Sequence, residues 1–356
     1  MGLIRPEHLK KGDEVSVVSL SSGILGEKSS SHQKRLLESR LREMGLGIHY
    51  TKNSLKGLDY IRQHPEKRAE DLIEAFSRKE TKIIWSAIGG NDTYRIIPFL
   101  ENSSFKTLVK NNPKIFMGFS DTTIDHLFLY KLGLVTYYGP ALLPDVADPG
   151  NEIVPYTKQW LSELFCSTRS KTIDSSKNWY RNRGDFGEDQ LGIPLVEEAE
   201  THNYEFFNGD GIIQGRLLGG CLESLAESLN RKDSFFPNLD EWKEKVLFIE
   251  TSEERPSVGT FERMVSDLDN FGIFGVVNAV IVGKPQDEVG YSKYKKVLLR
   301  VTSKYSLPLV YNMNFGHASP RIILPYGQNI VLDFKKRKSN FDGEMFARRH
   351  NSGIAK

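Results

Sequence analysis

Short apolar runs alternate with helical patterns through the first half of the chain, and this alternation most constrains the fold. Apolar runs predict strands at 14–20, 46–51, 82–88 and 114–118. Apolar residues at helical spacing predict helices at 31–44, 66–77, 92–100 and 121–132. Strands that alternate with helices form a parallel sheet covered on both faces. Ligands of such sheets bind beyond the carboxyl ends of the strands, so functional residues are expected there.

The pattern changes after about residue 150. A helix is predicted at 156–165, and residues 166–190 are then polar, which is too long for an ordinary connector. This stretch is either a disordered linker or a functional loop. Its aromatic residues Trp179, Tyr180 and Phe186 favour a functional loop, where substrate choice would be decided.

The second half has a mixed α+β pattern. Strands are predicted at 204–207, 211–218, 246–251, 277–282, 322–324 and 330–334. Helices are predicted at 222–229, 260–271 and 293–304. We therefore expect a nucleophile-bearing α/β domain over 1–165, a substrate loop or linker over 166–190, and a second domain over 191–356. The basic run KKRK at 335–338 is expected to be solvated.

Charge and cysteine content exclude several classes of protein. The 48 basic and 46 acidic residues give a formal net charge of +2, which argues against binding to a nucleic-acid polymer or a membrane surface. The two cysteines, Cys166 and Cys221, form no CxxC pair, and no apolar run is long enough to span a bilayer. No secretory signal is evident at the N-terminus. These features predict a cytoplasmic protein.

Residues 118–123 (GFSDTT) carry the strongest local signal. They follow an apolar strand and open a helix, the geometry of a nucleophile elbow, in which Ser120 would project from the carboxyl edge of the sheet. The usual signature is G-x-S-x-G, whereas the fifth position here is Thr122. From this motif alone, a simple helix cap at Ser120 or Asp121 remains open.

A second strand-to-helix turn lies at 89–92 (GGND). Glycines let a backbone N–H approach a substrate oxygen closely. The alternative is a tight turn in which Asn91 or Asp92 caps the next helix, and the two interpretations are compatible.

A serine nucleophile needs a base, and eight histidines are available. His317 lies in 314–320 (NFGHASP), between two apolar strands, where small neighbours leave room for an imidazole. His126, on the helix that follows Ser120, is a competing candidate that fits a structural role better. The remaining histidines are in polar or terminal contexts and are expected at the surface: His8, His32, His49, His64, His202 and His350.

Glu250 is the candidate acid. It ends the apolar run 246–249, and a carboxylate there requires a hydrogen-bonding or charged partner, which a histidine would supply. A salt-bridged strand end is the alternative. The next acids, Glu253 and Glu254, are expected to face solvent.

The sequence offers no metal or phosphate-loop signature. It has no HExxH motif, its histidines are scattered, and no Walker A sequence occurs. We therefore predict neither a metal centre nor an organic cofactor.

Taken together and in this order, Gly89-Gly90, GFSDTT, LFIET (247–251) and NFGHASPR (314–321) resemble the LD-carboxypeptidase family of serine peptidases, which includes the microcin C immunity proteins. The resemblance runs from the first strand to about residue 334. It implies a Ser…Glu…His triad made of Ser120, Glu250 and His317.

The resemblance further implies a parallel, flavodoxin-like α/β sandwich and a C-terminal mixed α+β domain with a small barrel-like sheet. His317 would act as general base and then acid, and Glu250 would orient it. The backbone N–H groups of Gly90 and Asp121 would form the oxyanion hole. No cofactor is implied, and family members are commonly homodimers.

Two branches of the family then compete. The sequences AIGGND (87–92) and LFIETSE (247–253) look like the immunity branch, which cleaves aminoacyl- or peptidyl-nucleotide conjugates. Asn91 is accordingly a candidate substrate-binding residue. Trp179 is another, since its ring would stack on a nucleobase, although it could instead pack the loop onto the protein. The alternatives are a murein tetrapeptide LD-carboxypeptidase of cell-wall recycling and a catalytically silent ligand-binding protein.

Overall fold

The computed structural model describes residues 2–166 and 170–349 of the chain, so His350 lies outside the described residues. The strands are β1 Glu14–Val18, β2 Gly47–Tyr50, β3 Thr81–Ser86, β4 Ile115–Gly118, β5 Tyr137–Tyr138, β6 Ser170–Ile173, β7 Asn178–Tyr180, β8 Glu197–Ala199, β9 Glu205–Phe207, β10 Ile212–Cys221, β11 Lys245–Glu250, β12 Ala279–Gly283, β13 Leu309–Met313, β14 Leu324–Pro325, β15 Asn329–Asp333 and β16 Lys338–Asp342. The helices are α1 Ser31–Glu43, α2 Leu58–Gln63, α3 Pro65–Ser77, α4 Ile97–Leu100, α5 Ser103–Asn111, α6 Thr123–Lys131, α7 Pro155–Ser162, α8 Leu222–Arg231, α9 Leu239–Trp242, α10 Val258–Phe271 and α11 Tyr291–Lys304.

The first sheet has the order β14-β5-β4-β3-β1-β2, and its strands β1 to β5 run parallel. Its central strands are almost wholly buried, and all four residues of β4 are buried. The strands of a parallel sheet are buried on both faces, so side chains pointing to either face are apolar. These strands therefore have continuous apolar runs in the sequence rather than alternating patterns. The predicted parallel α/β half is confirmed.

The second sheet has eight strands in the order β6-β16-β15-β10-β11-β12-β13-β9. Its centre, from β10 to β13, is parallel, and antiparallel strands flank it on both sides. The mixed α+β pattern of this half is therefore confirmed. The family resemblance implied a small barrel-like sheet in this half of the chain. The sheet that the structure has in that place is the eight-stranded mixed sheet.

The described part of the predicted loop, residues 170–190, is more ordered than a linker. Its strand β6 pairs with β16 at the edge of the second sheet, and β7 forms a separate two-stranded sheet with β8. Conversely, β14 belongs to the second half of the sequence but pairs with β5 in the first sheet. The chain thus crosses between the two sheets more than once, and the domain boundaries at 165 and 190 stay a prediction.

The start of α6 packs against the end of β10, and this contact joins the two sheets. The Thr123 hydroxyl accepts a hydrogen bond from the Cys221 N–H at 2.9 Å. Gly220 has a φ of +144°, and a Cβ there would lie 2.4 Å from the Thr123 methyl carbon. Only glycine fits such an approach. The carboxyl ends of β4 and β11 are thereby brought to one cleft.

The basic run at 335–338 is exposed where β15 turns into β16, so a solvated position is confirmed. None of the helices in the described residues is long and apolar enough to cross a membrane.

Candidate active site

Ser120 lies on a sharp turn at the carboxyl end of β4. Its φ is +67°, which is costly for a residue with a Cβ, and the turn Ser120–Thr122 runs directly into α6. A strained strand-to-helix turn of this kind exposes the side chain above the sheet. The Ser120 N–H donates to the Tyr138 hydroxyl at 3.1 Å, which fixes the turn from behind.

A hydrogen-bonded chain links Ser120, His317 and Glu250 across the two sheets. The Nε2 atom of His317 lies 3.0 Å from the Ser120 hydroxyl oxygen. Its Nδ1 atom lies 2.8 Å from a carboxylate oxygen of Glu250. The separation of nucleophile, imidazole and carboxylate matches what nucleophilic catalysis requires. The structure thus brings together the three residues that the sequence singled out.

The Glu250 carboxylate is buried but fully satisfied. One oxygen accepts from the Tyr138 hydroxyl at 2.5 Å, and the other accepts from the backbone N–H of His317 at 3.0 Å. Burial and the nearby Glu250 raise the pKa of Tyr138 well above 10, so its hydroxyl keeps the proton that it donates. A Cβ on Gly316, whose φ is +89°, would lie 2.4 Å from Glu250. The glycine before His317 is therefore needed for the carboxylate to fit.

Glu253 also reaches His317, although it was expected to face solvent. A carboxylate oxygen of Glu253 lies 2.8 Å from Nε2, the same nitrogen that faces Ser120, while more than half of this side chain remains exposed. Burial lowers the pKa of His317, but the carboxylates of Glu250 and Glu253 outweigh burial and raise that pKa to about 10. The contact with His317 in turn lowers the pKa of Glu253 to about 2. The imidazole is therefore held as a cation in this arrangement.

The glycine turn at 89–92 lies beside Ser120. A Cβ on Gly89 would lie 3.0 Å from the Ser120 hydroxyl oxygen and 3.3 Å from the Asp121 nitrogen. A Cβ on Gly90 would lie 2.2 Å from the hydroxyl oxygen of Ser21. Both positions thus require glycine for steric reasons. The arrangement places the N–H of Asp121 and the glycine turn around one small space next to Ser120.

Two carboxylates hold this turn in place. Asp121 accepts from the Thr93 N–H at 2.9 Å and from the Thr93 and Ser21 hydroxyls at 2.7 Å each. Asp92 binds the guanidinium of Arg68, a fully buried side chain, at 2.7 Å. Asn91, predicted to bind substrate, is exposed at the tip of the turn.

A cleft of about 490 Å³ opens next to His317, lined in part by Ser319, Arg321, Tyr180 and Phe186. Trp179 is not among the described residues that line it. Its ring is buried, with the ammonium group of Lys284 5.1 Å from its centre. The structure thus favours the packing alternative for Trp179, and the aromatic rings that line the cleft are those of its neighbours.

Two histidine predictions can be compared with the structure. His126 is fully buried, and its ring nitrogens bind the Gly118 carbonyl at 3.0 Å and the Thr136 hydroxyl at 2.8 Å. Burial lowers its pKa to about 3, so His126 is structural, as its position favoured. The prediction of a surface location is wrong for His32, which is buried and binds the carbonyl of Phe186 at 2.7 Å.

Three residues of this site escaped the sequence reasoning. Tyr138 follows an apolar run and precedes Gly-Pro, and this pattern could have predicted that Tyr138 lies at the end of a strand. Arg321 donates to the backbone carbonyls of Gly316 and His317 at 2.5 Å each, and so fixes the histidine loop. Glu253 had no local signal beyond its place after Glu250.

One group of potential metal ligands occurs among the described residues. The donor atoms of Cys221, Glu250 and His317 all lie within 4.8 Å of one another.

Comparison with known proteins places both halves of the chain. Residues 15–139 match the LD-carboxypeptidase N-terminal domain, and residues 214–332 match the LD-carboxypeptidase C-terminal domain. Ser120 falls in the first match, and Glu250 and His317 fall in the second.

Solved structures and curated relatives agree with this match. The MccF-like protein from Streptococcus pneumoniae, solved in complex with AMP, has a TM-score of 0.88 and 41% identity, covering 93% of this chain and 99% of its own. The microcin C7 self-immunity protein MccF of Escherichia coli is 29% identical over 76% of this chain and 77% of its own. A structure of MccF with aspartyl sulfamoyl adenosine has a TM-score of 0.85 and 25% identity, covering 97% and 100% of the two chains. The probable murein peptide carboxypeptidase of Bacillus subtilis is 27% identical over 92% and 91%.

Proposed function

The chain belongs to the LD-carboxypeptidase family of serine peptidases, and on this premise we propose that Ser120, His317 and Glu250 form a catalytic triad that cleaves the amide bond of aminoacyl- or peptidyl-nucleotide conjugates. The family membership makes the protein a hydrolase of the serine carboxypeptidase type. The observation that carries the assignment of the triad is the continuous hydrogen-bonded chain from Glu250 through His317 to Ser120.

The proposed reaction follows from this geometry. His317 takes the Ser120 proton at Nε2 while the hydroxyl oxygen attacks the substrate carbonyl, and the imidazolium then gives that proton to the leaving amine. Glu250 holds the Nδ1 proton and stabilises the imidazolium. Water, activated by the same imidazole, hydrolyses the acyl-enzyme. Glu253 must leave Nε2 before the first step, because its carboxylate occupies the same side of the ring as Ser120.

The N–H groups of Gly90 and Asp121 are the proposed oxyanion donors. The small space between the glycine turn and Ser120 supports this role. An oxyanion donor contributes about 3 kcal/mol to transition-state stabilisation, so this turn would contribute much of the rate enhancement.

Two observations support a nucleotide-bearing substrate. The Streptococcus pneumoniae relative was solved with AMP, and MccF was solved with aspartyl sulfamoyl adenosine. In this chain, the cleft beside His317 is lined by the aromatic rings of Tyr180 and Phe186. Stacking of a base on an aromatic ring contributes about 1–3 kcal/mol, which would favour such conjugates. Base stacking by Trp179 and substrate contact by Asn91 stay predictions.

The test is a side-by-side assay of purified protein on an aminoacyl sulfamoyl adenosine and on a murein tetrapeptide. Wild type should cleave the first, and Ser120→Ala should lose cleavage by a factor of at least about 10⁴. Ser162→Ala, which changes an exposed serine on α7, is the matched control and should retain activity. Equal cleavage by wild type and Ser120→Ala would refute the triad.

A murein tetrapeptide LD-carboxypeptidase is the second candidate, because the Bacillus subtilis relative named as a probable murein peptide carboxypeptidase matches over nearly the whole chain. Release of D-alanine from the tetrapeptide, without cleavage of the nucleotide conjugate, would favour it. Cleavage of neither substrate would favour the catalytically silent alternative. The homodimer and the cytoplasmic location stay predictions.

A further inference from the structure

The ends of β10 and β11 bring a thiol next to the proposed triad. Cys221 and Glu250 are register partners in the parallel pairing of these strands, and His317 follows β13 on the same side. All three residues are buried, and their donor atoms lie within 4.8 Å of one another. We call this group the Cys221 cluster.

We propose that the Cys221 cluster binds a thiophilic divalent cation of the Zn²⁺ type, and that the bound cation inhibits the enzyme. The reaction proposed above uses no metal, and the cation would bind two of the residues on which that reaction depends, Glu250 and His317. Its ligands come from distant parts of the sequence, which explains why no compact metal motif predicted it.

The ligand set suits such a cation. Zinc prefers thiolate, imidazole and carboxylate ligands, and three protein ligands with a fourth open position are typical of accessible zinc sites. Tetrahedral bonds of about 2.0–2.3 Å place neighbouring donor atoms roughly 3.3–3.7 Å apart. The pair formed by Glu250 and Nδ1 of His317, at 2.8 Å, must open slightly, and the thiol must approach them by roughly 1.5 Å at most.

Glu223 lies beside the thiol of the Cys221 cluster. One of its carboxylate oxygens lies 3.2 Å from the Cys221 sulfur, while the other accepts from the Ser252 N–H at 3.0 Å and the Ser252 hydroxyl at 2.8 Å. The carboxylates of Glu250 and Glu253 both contact the single imidazole of His317, and Glu223 lies beyond the Cys221 thiol. A divalent cation would compensate this excess of negative charge.

A cation can approach the cluster from the cleft of about 490 Å³ that His317 lines. Binding releases the thiol proton and the Nδ1 proton of the imidazolium to solvent. The remaining ring proton stays on Nε2, so the metal-bound imidazole can no longer accept the proton of Ser120. Inhibition follows.

Cobalt binding provides a test that does not depend on the proposed function. A thiolate bound to Co²⁺ gives an intense near-ultraviolet charge-transfer band. Titration of Ser120→Ala protein with Co²⁺ should produce this band with one equivalent of metal, since Ser120 is not a ligand. The band should be absent in Cys221→Ser and present in Cys166→Ser, which removes the exposed cysteine and is the matched control.

A second experiment measures inhibition of hydrolysis by Zn²⁺ in wild type, Cys221→Ser and Cys166→Ser. Chelator-reversible inhibition is expected in wild type and in Cys166→Ser, whereas Cys221→Ser should keep the basal rate and need at least about 10-fold more Zn²⁺ for half-inhibition. Cys221→Ala serves if the serine variant does not fold. No thiolate band in Cys166→Ser, or an unchanged inhibition constant in Cys221→Ser, would overturn the proposal. A thiolate band in a protein that cleaves neither substrate would support metal binding while the proposed function fails.

Discussion

Replacing Glu253 by glutamine should shift the pH dependence of catalysis, because Glu253 binds the nitrogen that takes the Ser120 proton in the proposed mechanism. His317 acts as a base only when neutral, so kcat/KM rises with pH through the pKa of its imidazole. With that pKa raised to about 10, the wild-type acid limb should lie well above the ordinary value of 6.5 and should extend beyond pH 8.

The size of the shift follows from the contact distance and the exposure of Glu253. Unit charges 4 Å apart interact by about 1 kcal/mol in water, and Glu253 lies closer, at 2.8 Å, with more than half of its side chain exposed. Taking the water-like value as a lower bound gives a fall of about 1 pKa unit in the variant. The neutral fraction of His317 at pH 7 then rises about tenfold, and kcat/KM at that pH rises with it.

The assay is the pH profile of kcat/KM from pH 5 to 10 for wild type, Glu253→Gln and Glu254→Gln. Glu254 is the adjacent exposed acid, so its variant makes the same change of charge without the contact. The acid limb should move to lower pH in Glu253→Gln and stay near the wild-type position in Glu254→Gln. Superimposable profiles for wild type and Glu253→Gln, or a shift to higher pH, would refute the reasoning.

Three further substitutions test the site. Glu250→Gln replaces the charged acceptor of the Nδ1 proton by a neutral amide that no longer fixes the imidazole tautomer, and should lower kcat by about 10⁴-fold with little change in KM, as steady-state kinetics would record. Gly89→Ala places a methyl group 2.8 Å from the Ser120 Cβ and should lower kcat by at least about 10²-fold, whereas unchanged kcat would show that the turn does not confine the nucleophile. Tyr138→Phe removes the donor to Glu250 and the acceptor of the Ser120 N–H, so we expect thermal unfolding to report a loss of about 1–3 kcal/mol, accompanied by a lower kcat.

The sequence predicted the functional residues that directly follow apolar strands. Ser120 and Glu250 each follow an uninterrupted apolar run, and a parallel sheet displays the residues that follow its strands at one edge. His317 needed the resemblance as well, because its loop carries no periodic pattern. The long amphipathic helices were predicted within a few residues for the same reason, since their patterns extend over several turns.

What escaped prediction depends on contacts between distant segments. The strands β5 and β14 have two residues each, too few for any hydrophobic period, so neither they nor the role of Tyr138 could be read locally. The direction of the Glu253 side chain depends on the conformation of the loop after β11. Burial of Trp179 depends on β7 pairing with β8 and on Lys284, which directly follows β12 of the second sheet.

The pairing of β14 with β5 has a consequence for how the chain is made. A ribosome releases all the parallel strands of the first sheet early, yet the strand that covers the β5 edge is not available until residue 325 has emerged. Until then a nascent chain carries an open edge, the kind of surface that recruits other chains. The same delay keeps Ser120 without its imidazole until residue 317 appears. The order of synthesis thus keeps the proposed pair of Ser120 and His317 from forming in a growing chain until residue 317 has been translated.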